Sequence, residues 1–378
     1  MPEPVSAAPA AAGPLPLRER AKRFYHDHEP ACTVAFFVAG FLFDTMFVGR
    51  IDHLHNIIHQ ASYLFLCALF TSLELRELHG RFSPHPRLQT VWRYHTGATH
   101  FMLGTLLNIY TLFYFKSASI GTSFLFLLVL AGMLAVNELK PFGESSGTTM
   151  RMGLFSLCLV SYFTYLIPVL VGRLGPWVFV ASLAGASATV GLLALWLRHH
   201  LPDRPQVIWR HVLIPFAAIV VIFGSLYFEK LIPPVPLSLS DIGIYHEVHR
   251  DNDRFALTMY RPRWKFWQSG DQTFHARPGD KVHCFVSVFS PTRFRERLQV
   301  VWQLRDPQLG WQDEDAIPLE ITGGRDGGFR AEAVKAKYKP GSWRVRVETS
   351  DGRELGRIHL TIAGDDSVGI RPSRTIFR

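Results

Sequence analysis

The stretch that decides the fold reads HVLIPFAAIVVIFGSLYFEKLIPPVPLSL and covers residues 211–239. Residues 211–230 are almost continuously apolar, and about 20 such residues are what an α-helix needs to cross a lipid bilayer. From about Leu237 onward, apolar and polar residues alternate in short segments, which is typical of half-buried β-strands. The sequence therefore predicts a helical membrane region that ends here and a soluble β-domain that follows it.

The region before this boundary is apolar enough for lipid to be its solvent. The 378-residue chain is 48% hydrophobic, and the excess lies in one contiguous region. We predict seven spanning helices, at about 31–49, 60–75, 95–115, 119–137, 152–171, 176–197 and 211–230. The second is the weakest, because its apolar run from Ala61 to Leu73 is short for a complete crossing.

These boundaries divide the chain into four segments. Residues 1–30 predict a disordered cytoplasmic tail that lacks the apolar core of a cleavable signal peptide. Residues 31–231 form the helical region, residues 237–365 form a non-cytoplasmic β-sandwich, and residues 366–378 form a flexible tail.

Basic residues predict the orientation, because cytoplasmic loops collect Lys and Arg. With seven spans, the side of the N-terminus holds Arg18, Arg20, Lys22, Arg23, Arg76, Arg81, Arg87, Arg93, Lys140, Arg151, Arg198, Arg204 and Arg210. The opposite side holds only Arg50, Lys116, Arg173 and Lys230. We therefore predict a cytoplasmic N-terminus and a β-domain across the membrane.

The net charge of +9 is explained by these basic loops, which lie beside anionic membrane lipid. Nucleic acid is not an expected partner, since no zinc-finger spacing or RNA-binding signature accompanies the basic residues. The four cysteines are too scattered for a disulfide framework. Cys284 alternates with Val282, Val286 and Val288, which predicts that it packs in the core of the β-domain.

The β-domain has the strand spacing of an immunoglobulin-like antiparallel sandwich. The clearest predicted strands are Val282–Phe289, Leu298–Leu304, Ala316–Ile321, Phe329–Ala333, Trp343–Glu348 and Arg357–Ile362. In them, Trp302 and Trp343 fall on inward faces.

The residue Trp302 and several short motifs mark this domain. The motifs are Pro278-Gly279-Asp280, Gly328-Phe329-Arg330, Pro340-Gly341-Ser342-Trp343-Arg344-Val345 and Asp351-Gly352-Arg353-Glu354-Leu355-Gly356. With them, the stretch 278–362 resembles the bacterial family called domain of unknown function 2914. The resemblance implies a protein of the Gram-negative cell envelope in which this domain forms the end of a larger chain. It implies no enzymatic activity. The expected location is then the bacterial inner membrane, with the β-domain in the periplasm.

Basic and aromatic residues interleave in RPRWKFW, residues 261–267. Arg261, Arg263, Trp264 and Trp267 are candidates for contact with a sugar, a lipid headgroup or the membrane surface. Because the loop follows the last span by only some thirty residues, the membrane surface is the preferred interpretation.

Asp52, His55 and His59 would share one helix face, since they are spaced at i, i+3 and i+7. Carboxylate and imidazole groups on one face suit zinc or another divalent metal, which could activate a bound water. Contact of these histidines with lipid headgroups is the ordinary alternative. Asp44, within the first span, is a candidate acid/base or orienting group, and a hydrogen-bonded structural role is its alternative.

Polar residues inside spans also mark transport paths, and Asp44, Asn108 and Glu138 are the candidates here. The sequence has no Walker loop, no Gly-x-Ser-x-Gly elbow, no His-Glu-x-x-His and no Cys-x-x-Cys. Small residues from Ala181 to Gly191 permit close helix packing and a homo-oligomer.

The first hypothesis is a membrane protein whose sandwich binds or senses an envelope lipid, glycan or partner protein. The alternatives are a metal-dependent hydrolase or transferase that acts on an envelope lipid, and a transporter or flippase.

Overall fold

A computed structural model describes most of the chain from residue 53 onward. The described residues are 53–119, 123, 124, 126, 128, 132, 144–251, 254–291, 294–322, 328–367, 369 and 371–378. All of them belong to one compact unit, Arg50–Arg378.

In the part of the chain that the structure describes, five long helices form the first half of this unit. They are α1 (Leu54–Leu78), α2 (His95–Ser117), α3 (Glu144–Val171), α4 (Pro176–His200) and α5 (Ile214–Phe228). Two short turns, Pro86–Leu88 and Gln89–Trp92, link α1 to α2. A turn at Pro205–Ile208 and a π-helical turn at Trp209–Leu213 lead directly into α5.

Among the described residues, four helical segments are long and apolar enough to cross a membrane: Leu54–Leu78, Gly147–Val171, Pro176–His200 and Pro205–Phe228. This is fewer than the seven that we predicted. The predicted span at 31–49 and most of the one at 119–137 lie outside the described residues. Helix α2 forms where a span was predicted, but polar residues near its ends, such as His95, His100 and Lys116, keep it out of the apolar set.

The weak second stretch is a complete helix of 25 residues, because α1 begins at Leu54 rather than near residue 60. Helix α3 is the centre of the bundle: α1, α2, α4 and α5 all pack against it. Its buried side chains include Leu154, Phe155 and Cys158.

The second half of the unit contains three β-sheets. The middle sheet has the order β1 (Ser238–Tyr245), β5 (Val282–Phe289), β8 (Phe329–Lys335). The largest sheet has the order β4 (Thr273–Ala276), β10 (Glu354–Gly364), β9 (Gly341–Thr349), β6 (Arg295–Asp306), β7 (Gly310–Thr322). The third has the order β11 (Arg374–Phe377), β3 (Arg254–Met259), β2 (Glu247–Asp251).

Strand β5 of the middle sheet is buried on both faces, so the domain has three layers rather than two. One face packs against the largest sheet in a core that contains Cys284, Trp302 and Trp343, as predicted. The other face packs against the third sheet through Phe285 and its neighbours. All strand pairs are antiparallel except β4 with β10, which is parallel.

The domain also extends further than predicted. Strand β11 pairs with β3, from Arg374 opposite Met259 to Phe377 opposite Ala256. It lies within residues 366–378, where we expected a flexible tail. Four residues carry too weak a local pattern to predict a strand, and tertiary pairing with β3 supplies the preference instead.

One end of the β-domain contacts one end of the helical bundle. The Ser119 hydroxyl after α2 donates a hydrogen bond of 2.6 Å to Oε1 of Glu354. The backbone N–H of Arg295 donates to the carbonyl of Gly172 after α3, at 2.9 Å. The guanidinium of Arg353 lies 4.9 Å from the ring centre of Tyr227 in α5. The first residues of β6 and β10 therefore rest on the helices.

Candidate functional site

A polar pocket of the β-domain lies at the end that faces away from the helices. Strand β10 starts at Glu354, beside the bundle, and ends at Gly364. A strand of that length rises about 33 Å. Strand β4 pairs with the last residues of β10, Thr361 with Thr273 and Gly364 with Ala276, and so lies at the far end.

The pocket has a volume of about 220 Å³. Strand ends from all three sheets meet around it. Its walls are His246, Tyr260, Arg261, Pro262, Lys265, Gln268, Asp271, Thr273, His275, Asp365, Arg371 and Pro372. No single strand could present this set, because the residues are spread over more than a hundred positions of the chain.

Gly270 brings the floor of the pocket against β1. It has a φ of +76°, and a Cβ atom there would lie 1.9 Å from the carbonyl oxygen of Ile244. The close approach lets the N–H of Asp271 donate to that same carbonyl at 2.6 Å. Only glycine combines this conformation with this proximity, so it fixes the position of Asp271.

Asp271 is the buried centre of the pocket, with 1% of its surface exposed. Its Oδ1 accepts a hydrogen bond from the N–H of Arg261 at 2.7 Å, and both of its oxygens accept from the N–H of Tyr260 at 3.1 and 3.0 Å. Nδ1 of His246 lies 2.7 Å from its Oδ2. The carboxylate thus fixes where the 261–267 loop leaves β3.

Several contacts fix the position of the His246 ring. Its ring stacks on Phe274 with ring centres 3.9 Å apart and meets Tyr260 edge-on at 4.4 Å. Its second nitrogen, Nε2, lies 3.4 Å from the carbonyl of His275. Both ring nitrogens therefore face acceptors of the protein itself.

Three cations line the pocket: Arg261, Lys265 and Arg371. Arg371 is paired, with its guanidinium 3.0 Å from Oδ2 of Asp280 and 3.2 Å from Oδ2 of Asp365. Within the described part of the chain, neither Arg261 nor Lys265 forms an ion pair with a carboxylate. The Arg261 guanidinium instead donates to the carbonyl of Lys265.

The second carboxylate of the wall is already committed. The hydroxyl and N–H of Ser367 donate to Asp365, and with Arg277 close by they hold the pKa of this carboxyl well below its usual range. Nε of Arg277 donates to Oδ2 of Asp365 at 3.0 Å. Within the described part of the chain, the positive charges of Arg261 and Lys265 in the pocket are therefore not neutralised by a carboxylate.

The predicted loop residues divide between the pocket and the surface. Arg261 lines the pocket, whereas Arg263 is exposed. Trp264 and Trp267 are 63% and 62% exposed, with ring centres 5.6 Å apart, and Phe266 between them is 81% exposed. The loop therefore lies at the far end of the domain, away from the helices.

The predicted metal-binding residues are placed only in part. His55 and His59 lie on one face of α1 with parallel rings, centred 6.4 Å apart. Asp52, their expected third partner, lies outside the described residues. Among the residues that are described, no group of three His, Cys, Asp or Glu side chains comes together as a metal site.

Of the intramembrane candidates, Asp44 and Glu138 lie outside the described residues, and Asn108 is half-buried on α2. Sequence reasoning missed a different charged pair. Arg151 of α3 forms an ion pair with Glu74 of α1, where the side chains are only 8% and 14% exposed. The predicted spans placed Glu74 at the end of one helix and Arg151 just before another, with no indication that they would pair.

Sequence reasoning also missed His246 and Asp271. The Ser269-Gly270-Asp271 run indicates a turn, which was the one local signal available. Nothing in a sequence shows that a histidine 25 positions earlier lies against that turn.

Comparison with known protein families gives one match, in the C-terminal part of the chain. Residues 295–362 match the model of a family described as protein of unknown function (DUF2914). The match confirms the resemblance that the motifs predicted, although it begins later than Pro278. A search of curated proteins found no match.

Solved structures share only remote similarity. A β-glucosidase involved in saponin metabolism from intestinal bacteria is 11% identical, with a TM-score of 0.22 over 35% of this chain and 17% of that chain. An immunoglobulin-like protein from Pseudomonas aeruginosa is 14% identical, with a TM-score of 0.21 over 34% of this chain and 98% of that one. A Listeria innocua β-glucosidase complex with isofagomine is 14% identical, with a TM-score of 0.20 over 36% and 18%. At these scores none of them bears on the function of this protein.

Proposed function

We propose that this is a bacterial inner-membrane protein whose periplasmic β-sandwich binds an acidic sugar of an envelope glycan. The binding site is the far-end pocket beneath the 261–267 loop, and the helical region anchors it. The observation that carries the proposal is the pair of half-buried cations, Arg261 and Lys265, which no carboxylate neutralises within the described part of the chain.

The charge of the pocket selects for an anion. A half-buried guanidinium gains from a carboxylate or phosphate because it can donate two parallel hydrogen bonds to it. Asp271 and Asp365 do not neutralise these cations, because their oxygens already accept hydrogen bonds from other groups. Those groups are backbone N–H groups, His246 and Arg277. A volume of about 220 Å³ accommodates one acidic group with part of its sugar ring.

The exposed aromatic rings favour a sugar as the carrier of that anion. Trp264 and Trp267 stand beside the pocket, and Nζ of Lys265 lies 5.4 Å from the ring centre of Trp264. Indole faces pack against the apolar faces of sugars, so a bound sugar would cover these exposed rings. At the far end of the sandwich these rings can reach material well beyond the bilayer.

The geometry supports binding rather than acid–base chemistry. A general base needs a nitrogen that faces the substrate, but both nitrogens of His246 face protein acceptors. We therefore assign His246 and Asp271 to holding the loop in place.

The proposed orientation gives a direct prediction. The proposal counts α2 and the predicted spans at 31–49 and 119–137 as crossings together with the four apolar helical segments. The number of crossings is then odd, and the basic loops assign the N-terminus to the cytoplasm and the C-terminus to the periplasm. Alkaline phosphatase fused after Arg378 should be active in cells, and a fluorescent protein that matures only in the cytoplasm should be dark at the same position. The reverse pair of signals would refute the orientation.

Arg261→Gln is expected to weaken binding of glucuronic acid about tenfold or more, because a hydrogen bond to a charged group contributes about 1.5–3 kcal/mol. Isothermal titration of the full-length protein in detergent measures this, with neutral glucose as the uncharged probe. Arg297→Gln is the matched control, since the Arg297 side chain is 79% exposed and pairs with an equally exposed Glu320. Equal binding of glucose and glucuronic acid, or no loss in Arg261→Gln, would contradict the proposal.

A further inference from the structure

A groove of about 650 Å³ runs along the helical bundle, between α1 and α4 and over α3. Its walls are almost entirely apolar. They consist of Ala61, Leu64, Phe65, Ala68, Leu69 and Ser72 from α1, Phe155, Leu159, Tyr162 and Phe163 from α3, and Thr189, Leu192, Leu193 and Trp196 from α4. Its volume lies within the range of about 300–1,000 Å³ that is typical of small-molecule sites.

The groove exists because α1 and α4 both pack on α3 and have little contact with each other. On α1, Ala61 and Ala68 face the gap, so its wall is recessed there. Ser72 lies on the same face and is fully buried, yet its hydroxyl has no hydrogen-bond partner among the described residues. The groove therefore contains a hydroxyl with free hydrogen-bonding capacity in a largely apolar wall.

A cation lies beside one end of this groove. Arg76 follows Ser72 by one turn of α1, and its guanidinium lies 5.3 Å from the ring centre of Trp196, which lines the groove. It also lies 5.7 Å from the ring centre of Phe82. Among the described residues Arg76 has no carboxylate partner. Its Nε has no hydrogen-bond acceptor there, and its one acceptor is the carbonyl of Arg81 at 3.4 Å.

We propose that this groove binds an anionic phospholipid, with an acyl chain between α1 and α4 and the phosphate at Arg76. Arginine fits a phosphate because its planar fork donates two hydrogen bonds at once. Arg76 lies at the end of the bundle opposite the β-domain, where α1 ends. In the orientation proposed above, that end is in the cytoplasmic leaflet, whose anionic lipids complement its charge.

The site differs from the ordinary lipid-facing surface of the bundle. Convex helix faces contact lipid tails without selecting a headgroup. A groove with a half-buried arginine beside one end should instead prefer lipids with an anionic headgroup. Preference for an anionic headgroup, and its dependence on Arg76, are therefore the properties that separate a specific site from annular lipid.

Native mass spectrometry of the full-length protein, with phosphatidylglycerol and phosphatidylcholine offered together, tests the proposal. We expect the parent protein to retain phosphatidylglycerol at least tenfold in preference. Arg76→Gln should reduce that preference to near parity, and Arg87→Gln, at an exposed position in the following loop, should leave it unchanged. The control matters because other basic loops also attract anionic lipid.

A second variant tests the groove itself. Ala68→Trp fills the recessed wall of α1 and should remove the bound lipid while the protein still elutes as a single species. If that variant fails to fold, the Arg76→Gln comparison decides alone. Equal retention of the two lipids by the parent, or an undiminished preference in Arg76→Gln, would overturn the proposal. So would a change of oligomeric state in Ala68→Trp, which would make a second copy the occupant.

Discussion

Asp271→Ala is expected to lower the free energy of unfolding of the β-domain by about 3–5 kcal/mol and to abolish binding in the far-end pocket. The carboxylate accepts from the N–H groups of Tyr260 and Arg261 and lies against His246, and it is 1% exposed. Its loss leaves three part-buried partners without an acceptor, and an unsatisfied buried group costs about 1–3 kcal/mol. Without this anchor, the 261–267 loop has no fixed exit from β3.

Urea denaturation of the full-length protein measures the effect on stability, and titration with glucuronic acid measures the effect on binding. Asp366→Ala is the control, since Asp366 is an exposed neighbour of the pocket wall. Asp271→Asn keeps the shape of the side chain and should be milder than Asp271→Ala. If Asp271→Ala were as stable as the control, the buried carboxylate would not organise the site.

Arg151→Ala is expected to destabilise the helical bundle by about 3–5 kcal/mol, because it leaves the Glu74 carboxylate buried without its partner. The two side chains are 8% and 14% exposed and join α3 to α1. The hydroxyl of Thr148 also donates to Oε1 of Glu74 at 3.3 Å, and Nε2 of His95 lies 3.9 Å from its other oxygen. These contacts are too weak to replace the guanidinium.

Replacing both partners should restore most of the loss, since apolar side chains of similar volume often equal a buried ion pair in stability. We expect Glu74→Leu combined with Arg151→Met to be close to the parent in thermal unfolding, and each single variant to be well below it. Additive losses in the double variant would show that the two residues act independently and that the pair does not join the helices.

The strands were the most predictable part of this protein. In β5, β6 and β9 the alternation of side chains fixes which residues face inward, and Cys284, Trp302 and Trp343 lie in the core as predicted. The third layer was not predictable, because β5 is buried on both faces and Phe285 interrupts the simple two-face pattern. Strand β11 depends on a partner more than a hundred residues away.

Helix boundaries were less predictable than helix existence. Average apolarity missed the beginning of α1, since residues 54–59 contain two histidines and an asparagine but continue the helix. The same averaging placed Glu74 at the end of one predicted span and Arg151 just before another, and gave no indication that the two would pair. In the folded bundle they neutralise each other, so charged residues can lie within closely packed helices.

The candidate site was half predictable. Interleaved basic and aromatic residues pointed to the 261–267 loop, and Arg261 does line the pocket. The sequence distance from the last span did not predict where the loop lies in the fold, because β1 carries the chain away from the helices before the loop forms. The other walls come from strand ends that only the three-sheet packing brings together.

The most direct test of the central claim is an experimental structure of the full-length protein with glucuronic acid. The account predicts the sugar in the far-end pocket, with its carboxylate about 3 Å from the Arg261 guanidinium and its ring against Trp264 or Trp267. An empty pocket at saturating ligand, or a sugar bound elsewhere on the domain, would contradict it.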